Sequence, residues 1–112
     1  MSHPEKKSYP LQKQLLHDIE HKLSIDLGQF LLLIEEGKPE EIDHAQKMAR
    51  GDLLKYGPEM QKLAQTLGAE YPNVVFQFLD SVDNLVHCPI NFVDEVKINL
   101  CYKTMRTLER ML

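Results

Sequence analysis

The sequence contains no tryptophan and only two cysteines, Cys88 and Cys101. Two thiols exclude a disulfide framework and point to a reducing, cytoplasmic setting in which both are small buried side chains. The five glycines, Gly28, Gly37, Gly51, Gly57 and Gly68, never cluster, so no phosphate-cradling loop is present. The longest apolar run, around Leu31–Ile34, is far too short to span a bilayer. MSHPEKK at the start has no apolar core, so no signal peptide is visible. A formal charge of −4 supplies neither the positive field of a nucleic-acid binder nor a polybasic membrane surface.

What is present is helical periodicity. The chain of 112 residues predicts one all-α domain over residues 9–112, behind a flexible polar leader at 1–8. A small antiparallel bundle of four to five helices is the economical arrangement. The first helix is expected from about Pro10, following Ser8, to Glu36. Leu16, Ile19, Leu23, Leu27, Phe30, Leu31 and Ile34 share one of its faces at about 100° per residue. Ile25 and Leu32 fall nearly opposite, so the second half asks for burial on more than one side.

Pro39-Glu40-Glu41 opens a second helix with acidic residues in its first turn. Gly57-Pro58 is expected to end it and to begin a short third helix that closes at Gly68. Asn73 is the expected cap of a fourth helix through Val75, Phe78, Leu79, Val82, Leu85 and Val86. Asn91 is the expected cap of the last, with Val93, Val96, Leu100, Thr104, Leu108 and Met111 on its main face. Ile98, Cys101, Met105 and Leu112 widen that face beyond one packing contact. Lys103, Arg106 and Arg110 line the remaining side, where they would meet an anion or acidic partner, or neighbouring carboxylates.

Residues with chemical potential are few and scattered. His17 and His21 lie one helical turn apart, a spacing that lets two imidazoles reach one metal. A third ligand from His44 or His87 is not placed by the sequence, and the pair projects away from the apolar stripe. No metal site and no cofactor is therefore expected, and a metal-binding helical bundle stands only as a third reading. Ser81 and Cys88 have His87 near in sequence, without a nucleophile elbow or an oxyanion-forming turn. No catalytic residues are expected.

His44-Ala45-Gln46-Lys47 resembles the His-x-x-Lys core of histidine phosphotransfer domains, which are four-helix bundles of similar size. That resemblance implies His44 as a phosphoacceptor and Lys47 as its electrostatic partner. Met48 stands where the family has Gly or another small residue. The leading expectation is different: a non-enzymatic protein-interaction module, an adaptor, chaperone or regulator, that forms a homodimer. It rests on the surplus apolar side chains Ile25, Leu32, Ile98, Met105 and Leu112.

Overall fold

A computed structural model describes the backbone of residues 4–112 and the side chains from Leu11 onward. The described residues form four α-helices and one short 3-10 turn: α1 (Pro4–Glu36), α2 (Pro39–Leu67), α3 (Tyr71–Val86), the turn Ile90–Phe92, and α4 (Glu95–Met111). Each helix packs chiefly on the next one in the chain. The result is an elongated helical bundle of 56 × 21 × 19 Å. Its long dimension follows α1, whose 33 residues span about 50 Å. No helix among the described residues is long and apolar enough to cross a membrane.

The apolar stripe of α1 is the floor of the core. Leu16, Leu23, Leu27 and Phe30 are fully buried against Ala49, Met60 and Ala64 of α2 and Val75, Phe78, Val82 and Leu85 of α3. Cys101 and Leu108 close the core from α4. Of the leader expected at residues 1–8, residues 1–3 lie outside the described residues and 4–8 belong to α1. Pro4, with its fixed φ and no amide to lose, takes the helix-start position assigned to Pro10.

The break expected at Gly57-Pro58 does not occur, and α2 is one helix of 29 residues. Pro58 lies on the exposed side of α2, while Gly57 is buried against Leu53 and Leu79. The missing amide bond costs about 3 kcal/mol in a helix interior. Met60, Ala64 and Leu67 continue the buried line of Ile42, Ala45 and Ala49. Burying that continuous face outweighs the local break.

The connections are short and chemically specified. Gly37 closes α1, its amide 2.6 Å from the Leu33 carbonyl. A Cβ there would stand 2.8 Å from that same oxygen, so no other residue fits without a shift. Lys38 precedes α2, and its amide donates to Glu41 Oε1 at 3.0 Å. Gly68, at φ 70°, ends α2 in a left-handed conformation that favours glycine.

Two caps move. α3 starts at Tyr71 rather than after Asn73. Asp94, not Asn91, caps α4, accepting from the Lys97 amide at 2.9 Å. That bond holds the Asp94 carboxyl below its usual range.

Because α4 begins at Glu95, its buried face is Cys101, Thr104 and Leu108. Val96 and Leu100, expected inside, are 75% and 47% exposed. Thr104 fixes this rotation. Its hydroxyl meets Ser81 Oγ of α3 at 2.8 Å and donates to the Cys101 carbonyl at 3.0 Å.

The C-terminus of α3 is held from the side. Gln46 Nε2 donates to the carbonyls of Leu85 at 3.2 Å and Cys88 at 2.8 Å. Arg50 adds Nε and Nη2 bonds to the Val86 carbonyl at 3.1 and 2.8 Å. Leu85 and Val86 carry last-turn carbonyls that a helix cannot satisfy itself, and Cys88 lies two residues beyond the helix. At the other end, Tyr71 Oη donates to the Met111 carbonyl at 2.9 Å.

Gly51 lies exposed inside α2, and a Cβ there would meet nothing within 4 Å. Gly51→Ala is expected to raise stability by about 0.5–1 kcal/mol, read as a higher urea midpoint with unchanged slope.

Candidate functional site

Glu20 occupies the one polar position in the buried stripe of α1, between Leu16 and Leu23, and is 2% exposed. Ser24 Oγ donates to its Oε1 at 2.6 Å. Burial, together with the facing Glu109 of α4, pushes the Glu20 carboxyl up to about 7, against the opposing pull of Ser24 and His17. A second acidic pair joins α1 to α2. Asp52 is pushed up to about 6 by burial and by the neighbouring Asp26. Asp52 Oδ2 has no hydrogen-bond partner. At neutral pH Glu20 is thus about half protonated and Asp52 mostly ionised, and each acidic pair sits at a helix seam.

The histidines do not converge. His17 and His21 stack with ring centroids 6.4 Å apart and planes 2° from parallel. His87 Nε2 lies 3.3 Å from Asp83. Among the described residues, no group of three or more His, Cys, Asp or Glu side chains is placed to hold a metal ion.

Ser81 and His87 do not meet as nucleophile and base. Ser81 is buried, its Oγ 2.7 Å from the Phe78 carbonyl and 2.8 Å from Thr104 Oγ1, which share its one hydroxyl hydrogen, while His87 is exposed. Both cysteines are free. Burial raises the Cys101 thiol to about 11, which leaves little thiolate at neutral pH.

His44 is exposed beside a shallow groove of about 330 Å³ between α1 and α2. Asp26, Glu41 and Met48 line the same groove. Lys47, the cation implied by the phosphotransfer resemblance, is 3.1 Å from Asp43. Carboxylates around the imidazole and a committed lysine give a phosphoryl group an unfavourable field.

The five surplus apolar residues separate into two groups. Ile98, Met105 and Leu112 are half-buried and pack on the rim of the core. Ile25 and Leu32 stay outside, 59% and 55% exposed. The basic residues Lys103, Arg106 and Arg110 are exposed and, with Tyr102, line a groove of about 330 Å³ on α4. None of the three forms a salt bridge among the described residues.

Sequence reasoning missed a further feature, the groove of about 310 Å³ between α2 and α3. Its floor is Leu53, Gly57 and Leu79, its wall Phe76, and its rim Asp80 and Asp83. Phe76 is 58% exposed. Its offset from the Val75–Phe78–Val82 stripe was the available signal. The proline assumed to break α2 hid the groove, since the groove needs a continuous helix on that side.

No protein family, curated protein or solved structure matches this chain.

Proposed function

We propose that this chain is a non-enzymatic protein-interaction module whose outward face on α1 receives a partner polypeptide. The observation that carries this reading is the line Ile25, Gly28, Leu32. Two large apolar side chains stand exposed two turns apart. Between them lies a glycine around which a Cβ would meet nothing within 4 Å. Glycine in a helix interior costs about 1 kcal/mol relative to alanine, and no contact among the described residues requires it. A partner backbone lying across Gly28, anchored by Ile25 and Leu32, accounts for both features. Adaptor, chaperone and regulatory roles all use such a face.

Ile25→Glu with Leu32→Glu is the direct test. Both positions are exposed, so the melting temperature should stay near that of wild type. Proteins recovered on the wild-type chain from its native host should fall at least tenfold on the double variant. A variant that folds normally and recovers the same proteins in the same amounts would remove this reading.

A further inference from the structure

The outward stripe of α1 extends well beyond Ile25 and Leu32. Leu11 and Leu15, nearer the start of the helix, are also exposed, 62% and 44%. Asp18 and Lys22 join them to Ile25, and Gln29 fills the last gap before Leu32, all of them exposed. From Leu11 to Leu32 the steps alternate between four and three residues. That is the a/d spacing of a coiled-coil seam, kept over three heptads. The seam lies on the side of α1 away from the buried stripe Leu16, Leu23, Leu27 and Phe30. A second helix can therefore lie along it, with each bundle behind its own α1.

The two charges in the seam specify direction and register. Lys22 is one turn from Asp18, yet it forms no salt bridge among the described residues. Asp18 uses only Oδ1, which accepts from Gln14 at 2.9 Å and lies 3.6 Å from His17 Nδ1. A parallel pair of these helices in register would set Asp18 on Asp18 and Lys22 on Lys22. An antiparallel pair, related by a two-fold axis at the level of residue 20, sets Asp18 on Lys22, since each lies two residues from that level. The same axis brings Leu15 level with Ile25 of the second copy, each five residues from residue 20. Leu11 comes level with Gln29, and Leu32 reaches the level of residue 8, still within the other copy's α1. Sliding one copy by a heptad would set Leu15 on Asp18 in one direction and Ile25 on Lys22 in the other. One register thus matches apolar with apolar and acid with base.

We propose that α1 docks on α1 of a second copy of this chain, as an antiparallel two-fold pair in which Leu15 packs on Ile25 and Asp18 pairs with Lys22. Each contact is made twice. This inference rests on the α1 reading above and names the occupant of that face. An isologous patch of this kind closes at two subunits. The charged pairs sit at the centre of the seam, where polar residues fix register and orientation at a cost in stability. Gly28 flanks the seam beside Gln29 and leaves that edge open to the second helix.

The charges supply the test. Wild type should show a dimer mass by light scattering at high micromolar concentration. Asp18→Lys and, separately, Lys22→Asp should each weaken dimerisation roughly tenfold or more while remaining folded by circular dichroism. Mixing the two variants should restore a dimer containing one of each, because every central contact is then attractive again. A single chain carrying both changes should dimerise like wild type. In a parallel pair neither single reversal would relieve or add like-charge contacts at both positions, so the singles also report direction. Leu15→Glu, which leaves Ile25 and Leu32 in place, should abolish the dimer. A wild-type chain that stays monomeric would overturn the inference. So would a dimer insensitive to either reversal, or reversed chains that fail to associate on mixing. A monomeric wild type that still recovers host proteins through Ile25 and Leu32 would leave the α1 partner reading standing while this occupant falls.

Discussion

Glu20→Gln should stabilise the protein at pH 8 by about 2 kcal/mol and flatten its pH dependence. The Glu20 carboxyl titrates near 4.5 in an unstructured chain and at about 7 in the folded one. The direction follows from which state holds the proton. Below pH 4.5 both states are protonated and the group costs nothing. Between about 4.5 and 7 the unfolded chain releases its proton while the folded one keeps it, so stability falls as pH rises. Above 7 the full cost is present, about 3 kcal/mol for a shift of this size. Glutamine keeps an oxygen for the Ser24 hydroxyl and offers its amide to Glu109, with no charge to bury. Urea unfolding at pH 5 and pH 8 checks this. Wild type should be more stable at pH 5, and Glu20→Gln should lose most of that difference. Asp52, also raised, acts in the same direction and leaves a residual slope.

The opposite sign is expected at Gln46. Gln46→Leu keeps the size of the side chain and removes its donor from the Leu85 and Cys88 carbonyls. Gln46 is buried, and the Cys88 carbonyl would lose its donor at a cost of about 1–3 kcal/mol, while the Leu85 carbonyl keeps only a long bond of 3.4 Å from the Cys88 amide. A loss of about 2–3 kcal/mol is expected, as the backbone recovers part of the deficit by shifting. The check is a lower urea midpoint together with faster amide exchange in the last turn of α3. Normal exchange in that turn would show that Arg50 alone holds it.

The fold class was legible because the 3.6-residue period is continuous wherever a helix is buried. The stripe Leu16, Leu23, Leu27, Phe30 and the α3 line Val75, Phe78, Val82 both emerge from the spacing and both form the core. Local punctuation was less reliable. Gly57-Pro58 signals a stop by backbone chemistry alone, yet the apolar line on either side continues in phase. Burial on that line decided the outcome. The face of α4 was read correctly at Thr104 and Leu108 and wrongly at Val96 and Leu100, for a related reason. Val96 and Leu100 belong to an apolar stripe, but hydroxyls at Ser81 and Thr104 set the rotation, and hydropathy gives hydroxyls little weight.

Candidate surfaces were legible in part. The exposure of Ile25 and Leu32 follows from their angle to the stripe. Ile98 and Met105 were read as surplus because the sequence does not show that α4 packs beside α1 through the seam holding Glu109. Glu20 itself was visible only as a carboxylate near two histidines. Its telling property is that it interrupts an otherwise apolar face, as Gln46 does in α2. Polar residues in phase with a buried stripe were the strongest overlooked signal in the sequence.

The order in which the helices pack also bears on how the chain finds its structure. α1 meets α2, α2 meets α3 and α3 meets α4, each neighbour in space being the neighbour in sequence. Loops of a few residues close each pair, so little entropy is lost before contacts form. Helical topologies of this local kind fold on the microsecond-to-millisecond scale. The nascent chain can build its hairpin of α1 and α2 before α4 has been synthesised, and it is α4 that brings Glu109 to Glu20. The adverse Glu20–Glu109 contact is thus added last, by the same helix whose Cys101 and Leu108 complete the core.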